Sequence, residues 1–108
     1  VTGLGEGFGN VYIAYADGRL GAFDMENSRE AWVMDALGYR DITAPVAIGS
    51  FVVVGDFEGY LHFVAQSDGR FVGRRRVDGD GIMSGPVVEG SRLYIMGKSG
   101  RLSAYEIR

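Results

Sequence analysis

Residues able to do chemistry are sparse in this chain, and His62, its one histidine, is the first to weigh. Acid–base work or metal ligation would need a positioned carboxylate or a second ligand beside it. At the corresponding places elsewhere in the chain stand Gly21 and Ser103, so no partner recurs with it, and His62 reads as a packed or strand-surface histidine. Gly3-Leu4-Gly5-Glu6-Gly7-Phe8-Gly9 has the glycine density of a phosphate-cradling loop. Phe8 occupies the place where a dinucleotide fingerprint needs glycine, and the residues after Gly9 read as strand rather than helix. Asp78-Gly79-Asp80-Gly81 alternates carboxylates as a calcium loop does, but the third oxygen residue and the downstream glutamate are missing, which leaves a turn. Arg74-Arg75-Arg76 reads as a charge-protected edge strand, and Trp32 as core. No nucleophile, base and orienting group assemble anywhere. The chain is expected to be no enzyme and to carry no cofactor and no metal.

The elements that carry these residues form a repeat. Gly18, Gly59 and Gly100 stand 41 residues apart, each preceded by an aliphatic run (Val11-Tyr12-Ile13, Val52-Val53-Val54, Leu93-Tyr94-Ile95) and followed two residues later by Leu20, Leu61 or Leu102. Pro45-Val46 and Pro86-Val87 keep the same spacing, as do Gly38 and Gly79. Each unit holds four strand candidates, A to D. In the central copy these are Ala44 to Ala47, Phe51 to Gly55, Tyr60 to Ala65 and Phe71 to Val77, joined by links short enough for an antiparallel meander. Residues 1 to 7 take the first A slot, and Glu26 to Leu37, the one stretch with helical character, is assigned to strand D of its unit. A period in the low forties with four strands is that of propeller blades. The expected fold is all-β: a partial β-propeller of about two and three-quarter four-stranded antiparallel blades, with units near 1–41, 42–82 and 83–108, the last lacking its outer strand. Open blade faces are expected to expose Val53, Phe63 and Tyr94.

Composition narrows the functional classes. The 108 residues, 46% hydrophobic and 23% charged, suit one modest globular domain, and 18 glycines against 2 prolines suit many turns. A net charge of -3 argues against a nucleic-acid binder, which needs a basic surface. Without cysteine there is neither disulfide nor thiolate metal site. No apolar run is long enough to cross a bilayer as a helix. The start at Val1 suits a mature product or an excised piece of a larger propeller.

In an A-B-C-D meander the B-to-C and D-to-A loops share one end of the blades. They collect Asp17, Tyr39, Arg40, Asp41, Asp56, Phe57, Glu58, Asp78 and Asp80, together with Lys98. This acidic face with exposed aromatics suits docking of a basic or mixed protein surface, and these nine residues, Asp17 to Asp80, are the candidate protein-binding set.

The string from Val52 to His62, then Asp68-Gly69-Arg70-Phe71-Val72 and the ending Gly97-Lys98-Ser99-Gly100-Arg101-Leu102-Ser103-Ala104-Tyr105, resembles the C-terminal blades of the BamB family of outer-membrane assembly lipoproteins. Asp17-Gly18-Arg19-Leu20-Gly21-Ala22-Phe23-Asp24 with Trp32 is similar to the wider PQQ-like repeat propellers. The resemblance implies a non-catalytic scaffold on the periplasmic face of the outer membrane, binding BamA of the barrel-assembly complex and aiding insertion of outer-membrane proteins. Membrane attachment would run only through a lipid anchor outside this chain. Two alternatives share the repeat: the propeller of a PQQ-dependent (quinoprotein) dehydrogenase, and a generic protein-binding propeller. The dehydrogenase would need catalytic and calcium-ligating insertions, and the copies here are uninterrupted.

Overall fold

The computed structural model describes residues 3–7, 9–35, 37–38, 42–77, 79, 81–82 and 85–107. Eleven strands are present among them: β1 (Gly3–Gly7), β2 (Asn10–Ala14), β3 (Leu20–Asp24), β4 (Glu30–Met34), β5 (Val46–Ile48), β6 (Phe51–Gly55), β7 (Tyr60–Ala65), β8 (Phe71–Arg76), β9 (Val87–Glu89), β10 (Arg92–Met96) and β11 (Leu102–Glu106). They form antiparallel meanders of four, four and three strands, in the orders β1-β2-β3-β4, β5-β6-β7-β8 and β9-β10-β11. The first strands of consecutive sheets, β1, β5 and β9, lie side by side, the arrangement of blades fanned around an axis.

One turn, used three times, sets the period. The N–H groups of Tyr15, Asp56 and Gly97 bond the carbonyls of Arg19, Tyr60 and Arg101 at 2.9, 3.0 and 2.9 Å, and those of Gly18, Gly59 and Gly100 bond back to the carbonyls of Tyr15, Asp56 and Gly97. The closing glycines sit at φ of 91°, 93° and 90°, where a Cβ is strained. The other end of each blade repeats as well: Met25, Gln66 and Ile107 donate their N–H to the carbonyls of Gly9, Ser50 and Ser91.

Side-chain parity then decides what each sheet presents to its neighbours. Between the first and second sheets lie Tyr12, Ala14, Leu20, Ala22, Trp32 and Met34 on one side, with Val52, Val54 and Val64 on the other. Between the second and third, Val53 and Leu61 meet Leu93 and Ile95. The central sheet is therefore covered on both faces, and Val52, Val53 and Val54 are all fully buried. This corrects the expectation for Val53: the third sheet covers the face it lies on. Phe63 is partly buried in the same layer. Exposed apolar residues lie instead on the far side of the third sheet, where Val87 is 63% and Leu102 64% exposed, on that of the first, at Val33, and at the edge strand and turn of the central unit, at Phe71, Val72 and Phe57.

Trp32 locks the first sheet to the second. Its ring tilts against Tyr12 at 5.8 Å between centroids, and Nε1–H donates to the Gln66 carbonyl at 2.9 Å. The Tyr12 hydroxyl donates to Gln66 Oε1 at 2.6 Å, while Gln66 Nε2 donates to the Gly49 carbonyl at 2.8 Å. Burial pushes the Tyr12 pKa above the usual tyrosine value, so the hydroxyl remains a donor. The indole lies directly over Gly69, where an added Cβ would come within 2.5 Å of it. Gly69 also carries a φ of 76°. Trp32→Ala should cost about 3–5 kcal/mol of unfolding free energy in urea denaturation; a loss below about 1 kcal/mol would show that the two sheets hold together without it.

Candidate protein-docking face

The B-to-C turns and D-to-A links do meet at one end of the blades. Ile82 N–H bonds the Asp56 carbonyl at 3.2 Å, Val77 N–H bonds the Gly59 carbonyl at 2.7 Å, and Lys98 N–H bonds the Gly81 carbonyl at 2.9 Å. Gly81, at a φ of 108°, is pressed so closely against the Phe57 carbonyl that no side chain would fit. The turn at residues 56–59 is thereby tied to the link after it, and Ile42 bridges to Asp56 from the link before it.

The candidate residues part company here. Asp17 is exposed at the tip of its turn, with Oδ2 2.8 Å from Arg19 Nε and Oδ1 accepting the Arg19 N–H at 3.1 Å. That backbone N–H and the guanidinium hold its carboxyl below the ordinary carboxylate range. Phe57 is 45% exposed, and Glu58 and Lys98 are exposed beside it. Tyr39, Arg40, Asp41, Asp78 and Asp80 lie outside the described residues.

Asp56 is placed differently from the expectation: its side chain is fully buried and presents nothing to a partner. Its Oδ1 accepts the backbone N–H groups of Glu58 at 2.9 Å and Tyr60 at 3.0 Å. Its Oδ2 lies 2.6 Å from His62 Nε2, with the imidazole itself buried. Burial pushes the Asp56 carboxyl up; the His62 hydrogen bond, the Tyr60 and Glu58 N–H groups and the charge attraction of the imidazole outweigh it and leave the carboxyl below its ordinary value. An ionised carboxylate only accepts, so Nε2 carries the proton in this pair. A carboxylate partner for His62 is thus supplied by its own hairpin, and the bonds of that carboxylate to Glu58, Tyr60 and His62 shape a turn. Tyr60 and Phe71 flank the imidazole, with ring centroids 6.3 and 6.1 Å away.

The sequence does hold a signal for this pair. Val54 and His62 are register partners, so Asp56, two residues on, shares their face. Neither residue of the pair recurs, since the other units have Tyr15 with Gly21 and Gly97 with Ser103. A polar couple found only in the central copy, on a face that stacking buries, marks a specialised turn.

The remaining motifs fall into structural roles. Gly3–Gly7 is β1, a paired strand. The guanidinium carbons of Arg74 and Arg76 lie 4.8 and 5.6 Å from the Tyr60 ring centroid, and that of Arg75 lies 4.9 Å from the Tyr105 ring centroid. Among the described residues no group of three His, Asp or Glu side chains is set to hold a metal ion.

Stacked four-stranded antiparallel sheets with a 41-residue repeat define the class: a partial β-propeller. No family model matches the chain. It is 49% identical over 107 residues to the outer membrane protein assembly factor BamB of Pseudomonas aeruginosa, covering 99% of this chain and 28% of that protein. It is 37% identical over 103 residues to BamB of Marinobacter adhaerens, covering 94% of this chain and 26% of that one. The crystal structure of BamB from Moraxella catarrhalis superposes with a TM-score of 0.88 at 27% identity, over 96% of this chain and 30% of that chain. The chain is a BamB-like propeller segment, spanning between a quarter and a third of the length of these relatives.

The Asp56 carboxylate yields a test with a definite sign. A carboxyl whose folded-state pKa is depressed contributes stability that is present above its unfolded value, near pH 4, and is lost as the pH falls through the folded value. At pH 6, Asp56→Ala should destabilise by about 3–5 kcal/mol, because it leaves a buried imidazole and two backbone N–H groups without their acceptor. The gap between wild type and Asp56→Asn should narrow as the pH is lowered from about 5 to about 2. A gap constant over that range, measured by urea denaturation at each pH, would show that the carboxylate charge contributes nothing.

Proposed function

We propose that this chain forms the C-terminal portion of a non-catalytic propeller scaffold that serves outer-membrane protein assembly from the periplasmic side of that membrane. The single observation that carries this reading is the 49% identity to an outer membrane protein assembly factor along 99% of the chain. The relatives are named assembly factors, which supports a scaffold over an enzyme. Protein partners are what such a scaffold engages, and the resemblance points to BamA, with insertion of outer-membrane proteins as the process served.

On this reading the B-to-C and D-to-A end is the docking face. Phe57 offers an aromatic anchor on a turn held by the buried Asp56 carboxylate, and aromatic anchors on rigid supports dominate protein interfaces. Asp17 and Glu58 supply acidic surround, and the sequence adds Tyr39, Arg40, Asp41, Asp78 and Asp80 to the same candidate set. Asp56 acts from within, by shaping the turn.

Titration of the full-length propeller with the periplasmic domains of BamA tests this. Phe57→Ala combined with Glu58→Lys should weaken binding by about tenfold or more, as expected of an anchor contributing upwards of about 1.4 kcal/mol, with the thermal midpoint unchanged. Undiminished affinity would move the docking site off this face, and no binding by the wild type at low salt would remove the partner assignment itself.

A further inference from the structure

Alternation along β8 divides its three arginines between two faces of the sheet. Arg74 and Arg76 are the register partners of His62 and Tyr60, and Arg75 is that of Leu61. Arg75 accordingly lies against Tyr105 of the third sheet. Arg74 and Arg76 both lie against Tyr60, with guanidinium carbons 4.8 and 5.6 Å from its ring centroid. One phenol ring thus carries two cations, and both arginines are exposed.

The ring beneath them is held in place. The Tyr60 N–H donates to the Asp56 carboxylate at 3.0 Å, and its ring tilts against the buried His62 imidazole at 6.3 Å between centroids. Phe71, 6.1 Å from the same imidazole and 40% exposed, adds an apolar surface beside the arginines. Like charges on neighbouring positions of one strand face repel. No carboxylate among the described residues forms an ion pair with either guanidinium: Asp17 is taken by Arg19, Asp68 by Arg70 and Asp56 by His62.

We propose that Arg74 and Arg76, seated on Tyr60, are a docking site for an acidic segment of a partner protein, an extended stretch with carboxylates two residues apart and an apolar residue next to them that covers Phe71. Side chains two apart on an extended chain recur about every 7 Å, the spacing of the two arginines along β8, so each guanidinium takes one carboxylate in a charge-assisted pair. An anionic bilayer fits this chain less well. A net charge of -3 sets the molecule against a surface of like sign, and the cations here are a local pair rather than the cluster that lipid headgroups attract. The site uses neither Phe57 nor Glu58 and stands without the docking assignment made for their turn.

Fluorescence anisotropy with the full-length protein and a fluorescein-labelled acetyl-Leu-Glu-Ser-Glu-Leu peptide tests it, the two leucines allowing either chain direction to reach Phe71. At low salt this peptide should bind at least about fivefold more tightly than its Leu-Gln-Ser-Gln-Leu counterpart, and the advantage should shrink as ionic strength rises. Arg74→Gln combined with Arg76→Gln should abolish the difference between the two peptides while leaving the circular dichroism spectrum unchanged. Arg75→Gln removes the same charge one residue away, on the opposite face, and should leave the affinity within about twofold of wild type. Equal binding of the two peptides, no binding by the full-length protein, or a loss in Arg75→Gln as large as in Arg74→Gln alone would overturn the proposal. So would cosedimentation with phosphatidylglycerol vesicles that depends on Arg74 and Arg76 in the absence of peptide selectivity, which would give the pair to lipid phosphates instead.

Discussion

Everything in this molecule depends on the central sheet being covered on both faces. A four-stranded sheet of five-residue strands cannot bury enough apolar surface alone, and a lone face offers its neighbours nothing unless they stack on it. In β6 the consequence is direct. Val52 and Val54 point into one interface and Val53 into the other, and all three are fully buried. Each such valine contributes about 1.5–3 kcal/mol relative to exposure, so a single strand couples three sheets.

Hydrogen bonding spaces the sheets, and side chains vary upon that frame. The same two backbone bonds close the turns at Gly18, Gly59 and Gly100, which frees the side chains there for separate tasks. The first turn is tied by an exposed ion pair between Asp17 and Arg19. The second is held from beneath by the Asp56 carboxylate and the buried imidazole. The repeat also makes departures readable: Trp32 against Ala22 in one unit and Phe63 against Gly73 in the next keep a large residue in each layer, and they shift its position by one strand.

Much of the fold is legible in the sequence because period and parity are local. The 41-residue spacing of turn glycines, with aliphatic runs at fixed offsets, locates β6 and β7 to the residue, and β8 runs one residue shorter than expected. Strand D of the first unit, placed within Glu26 to Leu37, is the shorter Glu30–Met34, because Asp24 accepts the N–H groups of Glu26 and Asn27 and turns the chain there. What parity leaves out is which side a neighbour covers, and Val53 is buried against expectation for that reason. Asp56 departs from expectation for a related one. An acidic residue beside a turn glycine reads as solvated, and only the partner six residues on, across the hairpin, takes it inside. At the candidate site the exposed Asp17, Phe57 and Glu58 are readable from topology, while the polar support beneath them emerges only once the sheets are stacked.

The scaffold reading presupposes that stacking, rather than strand pairing alone, holds the blades. Native-state hydrogen exchange separates the two. Strands β2, β6 and β10 each sit between two hydrogen-bonded strands, but only β6 has apolar neighbours on both faces among the described residues. In the 108-residue chain taken by itself, the amides of Val52, Val53 and Val54 should therefore exchange slowest, at the free energy of global unfolding, with those of β2 and β10 opening at lower cost. If β6 exchanges no more slowly than β2 and β10, burial of the central sheet does not organise this protein.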